Sequence, residues 1–233
     1  MTGKLIGLGV GPGDPELLTL KGARLLRRAR TIAYVALHDV PSFARSIVAQ
    51  HLRPTLNEIR IDLQMTEARE PAQKAYDDGA KRIAEVLERG EDVVCLCEGD
   101  ALFYGSFMYL AARLAGRFGI EVVPGVNSIS AATAAAIVPL TARTEVLTIL
   151  PATLPTDDLR ARIEAADSIV IMKLGRHLQR VRALLNEMNL TATYVERASL
   201  PESCRMKLDD APDPAPYFSM LLITKGNDPW LSR

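Results

Sequence analysis

The chain has 233 residues, nearly half of them apolar, which allows one large or two small domains with a sizeable core. Lys plus Arg total 28 and Asp plus Glu total 28, so the net charge is zero and nothing favours a general nucleic-acid binder. Three cysteines without framework spacing point to a reducing compartment. The opening MTGKLIGLGVGPGD lacks a signal peptide's apolar region, and no stretch nears the ~20 apolar residues of a membrane span, so a soluble, cytoplasmic protein is expected.

Short apolar, β-branched runs predict strands at Lys4–Leu8, Thr31–Leu37, Glu58–Leu63, Asp92–Cys97 and Ile120–Val123. Between them, helical patterns cover Pro15–Ala29, Pro41–His51, Pro71–Arg89 and Gly105–Gly116. Such alternation implies a parallel sheet covered by helices. Asp14 is placed to N-cap the first helix and Pro15 to occupy its first turn. Leu18, Leu25, Leu26 and Ala29 then form its inward stripe. Lys21, Arg24, Arg27 and Arg28 face mostly outward, as a solvated face or a patch for an acidic substrate. Cys95 and Cys97 share one face of their strand and read as ordinary buried cysteines, since no His lies close in sequence to complete a metal site.

Ser128–Ala136 is a small-residue helix that reads as a packed connector. Beyond it, strands are predicted at Leu147–Pro151, Ser168–Lys173, Ala192–Arg197 and Met220–Lys225, with helices at Asp157–Ala165 and His177–Met188. Ala211–Tyr217 is Pro-rich and must be a loop. The late strands leave no room for helices between them, so this half is a mixed sheet. The whole reads as two α/β domains, 1–125 and 126–233, with a connector at about 126–139.

Five candidate site loops follow predicted strands. The first is GLGVGPGD at Gly7–Asp14. It fails the dinucleotide pattern: Pro12 lacks an N–H, and Asp14 puts negative charge where a pyrophosphate would sit. The second, EGDALFYG at Glu98–Gly105, offers Asp100 as a hydrogen-bond acceptor or as a helix cap, and Phe103 and Tyr104 as walls for an apolar ligand. The third, VPGVNS, ends in Asn127 and Ser128, either caps or ligand contacts. The others are LPATLP at Leu150–Pro155 and MKLGRH at Met172–His177. A phosphate loop, a G-x-S-x-G elbow and an H-x-x-x-H pair are all missing from the sequence. Residue chemistry alone gives an α/β protein with strand-end loops suited to a cleft, without naming the ligand.

In order and with suitable spacing, GLGVGPGDPELLTLKGARLL, EGDALFYGSFMYL and VVPGVNSISAA resemble the signatures of the tetrapyrrole methylases, the precorrin methyltransferase family. IVIMKLGRHLQRVR, YVERASLPE and APDPAPYFSMLLITKG resemble its precorrin-2 C20-methyltransferase branch. Ala101 departs from the pattern, where the family carries Pro.

The resemblance implies a homodimer of two-domain subunits with S-adenosylmethionine folded in an inter-domain cleft. It further implies methylation of C20 of precorrin-2 to give precorrin-3A and S-adenosylhomocysteine, in cobalamin biosynthesis. Carried over by position, cofactor contacts would be Pro12, Gly99, Asp100 and Phe103, then Asn127 and Ser128, then Ala152, Met172, Leu174, Ala198 and Thr224. No metal ligand and no catalytic base is assigned. Arg27, Arg143 and Arg197 are guesses for the substrate's carboxylates. The same methylation on cobalt-factor II, another family activity, and a non-catalytic tetrapyrrole or nucleotide-binding module stay open as alternatives.

Overall fold

Strands buried on both faces need a cover on each side, and a parallel sheet with crossover helices supplies it. The computed structural model describes residues 2–64 and 69–226; Met1 and residues 227–233, the outer ends of the two expected domains, lie outside them. The chain divides into two compact units, Met1–Ser128 and Ile129–Arg233.

The first unit runs β1 (Lys4–Gly9), α1 (Leu20–Arg28), β2 (Thr31–Leu37), α2 (Phe43–Ile47), β3 (Asn57–Leu63), α3 (Arg69–Glu88), β4 (Val93–Cys97), α4 (Phe107–Leu114) and β5 (Gly119–Val123). Its strands are all parallel, in the order β3-β2-β4-β1-β5. One face packs Leu5, Cys95 and Cys97 against Ile83 and Leu87 of α3 and Phe107 and Leu110 of α4. The other packs Ile6, Leu8, Val94 and Leu96 against Leu26 of α1 and Ala44 and Ile47 of α2. Cys95 and Cys97 are buried free thiols on one face, and their contact together with burial holds the Cys95 thiol well above its usual range.

The helix expected over Pro15–Ala29 is two pieces. Asp14 accepts from the Glu16 N–H at 2.8 Å and caps only a 3₁₀ turn at Pro15–Leu17. Leu18 is extended, and Thr19 then caps α1, its hydroxyl accepting from the Gly22 N–H at 3.1 Å. A threonine hydroxyl competes for backbone donors in this way, so one periodic stripe conceals a break. The helix expected over Pro41–His51 is likewise α2, capped by Ser42, followed by a 3₁₀ turn at Ala49–His51.

α5 (Ser128–Ala136) begins at the division between units. Then come β6 (Leu147–Pro151), α6 (Thr156–Ala165), β7 (Ser168–Met172), α7 (Leu178–Glu187), β8 (Thr193–Glu196), β9 (Cys204–Lys207) and β10 (Ser219–Thr224). The sheet order is β6-β7-β10-β8-β9; β6 and β7 are parallel and the other pairs antiparallel. The sheet is mixed, as expected. Tyr194, Leu221, Ile223, Leu159, Ile163 and Val181 build its core with α6 and α7. β9 lies outside every strand expected from the sequence. CRMK is a four-residue edge strand with Cys204 and Met206 half-buried and Arg205 and Lys207 exposed, too short for that alternation to stand out in sequence.

Candidate functional site

In the first sheet, the connection leaving β1 crosses β4 to reach β2, while that leaving β4 crosses β1 to reach β5. The helices on these paths pack on opposite faces, α1 on one and α4 on the other. The carboxyl ends of β1 and β4 therefore form a topological switch point, the place where open α/β sheets take ligands.

Three loops meet there with almost no side-chain material between them. Gly11 and Gly99 form an antiparallel bridge, with Gly99 N–H donating to the Gly11 carbonyl at 2.8 Å and Gly11 N–H to the Gly99 carbonyl at 3.2 Å. Both adopt positive φ, 88° and 63°, which only glycine holds without strain. A Cβ on Gly9 would lie 2.5 Å from Gly125 N, and a Cβ on Gly125 only 2.1 Å from the Gly99 carbonyl oxygen. The loop after β5 is thus pressed backbone to backbone against the loops after β1 and β4. Val10 N–H donates to the Cys97 carbonyl and Gly11 N–H to the Gly99 carbonyl, so these two donors of the GLGVGPGD turn are engaged within the junction.

Asp100 is the clasp of this junction. One carboxylate oxygen accepts from Leu102 N–H and the other from Gly125 N–H, each at 2.9 Å. Asp100 thus acts as a hydrogen-bond acceptor for backbone N–H groups and does not cap the next helix, α4, whose N-cap is Ser106. The turn at Asp100–Leu102 also supplies the stiffness that a proline at buried Ala101 would give. Phe103 is half-buried and meets Tyr104 edge-on, ring centroids 5.1 Å apart, and Tyr104 takes a positive φ of 55°. Pro12, Asn127 and Ser128 are half-buried at the same carboxyl edge.

Glu98, the residue following β4, drew no attention in the sequence beyond its place in the motif. Its side chain meets solvent, yet protein crowds the strand end enough to raise its carboxyl above the usual range. Desolvation alone causes that rise; no described residue hydrogen-bonds or ion-pairs with Glu98.

A second group of polar side chains lines a cavity of 540 Å³ formed by Tyr34, His38, Ser42, Arg45, Arg60 and Asp62, around the carboxyl ends of β2 and β3. Its charges are already paired. Arg45 grips Glu58 through Nε at 2.8 Å and Nη2 at 2.7 Å, Tyr34 donates to the same carboxylate at 2.8 Å, and Arg60 holds Asp62 at 2.6 Å. A larger concavity of 740 Å³ by Arg60, Lys74 and Arg82 mixes both signs of charge, with Asp62, Glu70 and Asp78 beside them.

In the second unit, Ala152, Met172 and Ala198 follow or end β6, β7 and β8, whose carboxyl ends share one edge of the sheet. Ala152 N–H donates to the Met172 carbonyl at 2.7 Å. Arg180 holds the LPATLP loop, donating to the Ala152 carbonyl and, at 3.1 Å, to Thr156 Oγ1. Leu174 and Ala152 are fully buried core side chains, whereas Met172 stays partly exposed. Thr224 stands apart. It ends β10, antiparallel to β7, and pairs with Ser168 at the opposite edge. Lys173, Arg197 and Ser199 carry positive φ in these loops, the kind of backbone strain that collects at functional sites.

Fold and loop geometry together define a class: an α/β protein of two units with glycine-clamped loops at a topological switch point, the place where such sheets take ligands. Residues 4–211 match the family model of the tetrapyrrole (corrin/porphyrin) methylases, and the chain belongs to that family. It is 38% identical to the precorrin-2 C(20)-methyltransferase of Sinorhizobium sp, with 97% of each chain covered. It is 43% identical, over 96% of its length, to the cobalamin biosynthesis protein CobIJ of Mycobacterium tuberculosis, of which it spans only 46%. The chain thus spans about half the length of the CobIJ protein. Among solved structures, the uroporphyrin III C-methyl transferase of Thermus thermophilus is 26% identical with a TM-score of 0.67, covering 94% of this chain and 97% of that one.

Proposed function

We propose that the protein is an S-adenosylmethionine-dependent C-methyltransferase that methylates C20 of precorrin-2, giving precorrin-3A in cobalamin biosynthesis. The observation that carries this reading is the 38% identity to a precorrin-2 C(20)-methyltransferase across 97% of both chains. The glycine junction supports a cofactor cradle at this edge: Gly9 and Gly125 lock the loops after β1, β4 and β5 backbone to backbone, while a Cβ on Gly99 would meet nothing closer than 3.7 Å. When bound, S-adenosylmethionine supplies an electrophilic sulfonium methyl. A fold relative, the Thermus thermophilus enzyme at 24% identity, is described in complex with S-adenosylhomocysteine.

The residues proposed to contact the cofactor are Pro12, Gly99, Asp100, Phe103, Asn127 and Ser128 in the first unit. From the second come Ala152, Met172, Leu174 and Ala198, the first and third through backbone groups because their side chains are buried. Thr224, at the far edge of its sheet, is left out of this set. These groups bind and orient; holding the methyl in line with its target carbon can lower a barrier by roughly 7–11 kcal/mol in favourable cases. The protein is read as a cytoplasmic homodimer. Exposed Leu20, Ile137 and Tyr217 support the dimer; among the described residues no helix is long and apolar enough to cross a membrane. Sedimentation equilibrium tests the dimer.

Anaerobic incubation with S-adenosylmethionine and precorrin-2 tests the function. The expected product gains one methyl, and carbon NMR places it on C20. No mass gain sinks the reading; a methyl on another carbon keeps the class and discards the position. A second reading, the cobalt-containing substrate, is favoured by a 30% identical cobalt-precorrin-2 C(20)-methyltransferase of Salmonella typhimurium covering 97% of this chain. Running both substrates side by side decides between them.

A further inference from the structure

Methylation of a meso carbon leaves one proton to be removed, and none of the residues carried over from the family resemblance is assigned to take it. Asp100 is a poor candidate, because both its oxygens are engaged by Leu102 N–H and Gly125 N–H and releasing them would open the junction. Asp14 caps the 3₁₀ turn through Glu16 N–H. Glu58 and Asp62, beside the neighbouring cavity, are held by Arg45 and Arg60.

Glu98 differs from all of these. It directly follows β4, the central strand of the sheet, at the switch point between β1 and β4. The next residue, Gly99, is fixed on both sides by the Gly11 bridge, so the backbone that carries Glu98 is rigid. Its carboxylate reaches solvent and is engaged by no described residue.

We infer that Glu98 is the catalytic base of the proposed methyl transfer, accepting the C20 proton of the methylated tetrapyrrole; this rests on the function proposed above. The C20–CH₃ bond forms from a π electron pair of the macrocycle, and the S–CH₃ bond breaks with its pair remaining on sulfur. C20 then carries hydrogen and methyl, and the macrocycle a positive charge. The C20–H bond breaks, its electron pair restores the double bond, and the proton goes to a Glu98 carboxylate oxygen and on to water. No oxidant or reductant is needed. Crowding by the strand end, which raises the Glu98 carboxyl, makes it a better proton acceptor than an ordinary surface glutamate.

Glu98→Gln keeps size and shape at an exposed position. The expected result is a fall in turnover of about 100-fold, in the range of lost general-base catalysis, with S-adenosylhomocysteine affinity by calorimetry unchanged. With precorrin-2 deuterated at C20, the variant shows a primary isotope effect that the wild type lacks. Glu98→Ala is slow in the same way, and added formate restores its turnover. Wild-type turnover in E98Q overturns the inference. So does slow turnover without an isotope effect or formate rescue, or a loss of S-adenosylhomocysteine binding, which would make Glu98 a cofactor contact. If the wild type leaves C20 unmethylated, it is the proposed function that fails, and calorimetry still reads the role of Glu98 in binding.

Discussion

The two units hold their strand-end loops by different means. In the first, loops after β1, β4 and β5 touch backbone to backbone, and glycines make room for the contact. In the second, a long side chain does the holding: Arg180 on α7 reaches the loop after β6, and Lys173, Arg197 and Ser199 take positive φ without being glycine. A backbone junction tolerates no added atom, whereas a side-chain brace fails only when its hydrogen bonds are removed. The first unit should therefore be sensitive to small additions and the second to truncations.

Gly125→Ala should have the largest effect. Its new Cβ would meet the Gly99 carbonyl oxygen at 2.1 Å and Gly9 Cα at 2.7 Å, all backbone. Overpacking costs about 1–3 kcal/mol where side chains can yield, and here none can, so the upper end or more is expected in urea unfolding. S-adenosylhomocysteine binding should be lost with it. Intact affinity in a destabilised variant would separate the junction from the ligand site and break the comparison.

This contrast explains how unevenly the sequence could be read. All strands of the first unit and the site loops behind them were legible, because glycines, Pro12 and strand-end carboxylates punctuate apolar runs there. The clamping role of Gly9 and Gly125 was not, since it depends on which loops the β3-β2-β4-β1-β5 order brings together. Thr19, which breaks the first helix, sits inside an unbroken apolar stripe. In the second unit Arg180 looks like any arginine on a helix, and its carbonyl partner leaves no trace in sequence. Thr224 and Met172 enter the set together through the family resemblance; only the antiparallel pairing of β10 with β7 puts them at opposite edges.

Arg180→Ala should come next. It removes hydrogen bonds from a charged donor to the Ala152 carbonyl and Thr156 Oγ1, worth about 1.5–3 kcal/mol for one such bond. Hydrogen exchange at residues 152–156 should rise while exchange in β1 and β4 stays put. Equal acceleration in the first unit would contradict the idea of separate braces. Gly175→Ala sharpens the same point from the other side. Gly175 has a positive φ of 43° but nothing within 4 Å of its missing Cβ. It should cost only the left-handed backbone penalty, roughly 1–2 kcal/mol, well short of Gly125→Ala in the same urea assay. A larger loss would mean that the loops of the second unit are packed as tightly as the glycine junction.

The smallest effect, and the one with a pH signature, belongs to Glu58. Its carboxyl is held below the usual range first by the Arg45 hydrogen bond and also by the Tyr34 hydroxyl, against the opposing pull of burial. A carboxylate depressed in the folded state stabilises above its unfolded value, near 4.5, and that contribution is lost as pH falls through the lower folded value. Tyr34 is shifted the other way, by burial first and by Glu58 second. Its contribution is complete below the ordinary phenol value of 10.0 and is lost as pH rises through the higher folded one. Arg45 is 39% and Glu58 27% exposed, so solvent screens the pair and Glu58→Gln should cost no more than about 1 kcal/mol at neutral pH. The variant should lose the acid-side slope of the urea midpoint between roughly pH 5 and pH 3. On the alkaline side it should keep most of the fall, because burial of Tyr34 survives the substitution. Parallel acid slopes in wild type and variant would show that the Arg45–Glu58–Tyr34 cluster stores no proton-linked stability, leaving the wall of the 540 Å³ cavity held by apolar packing and backbone alone.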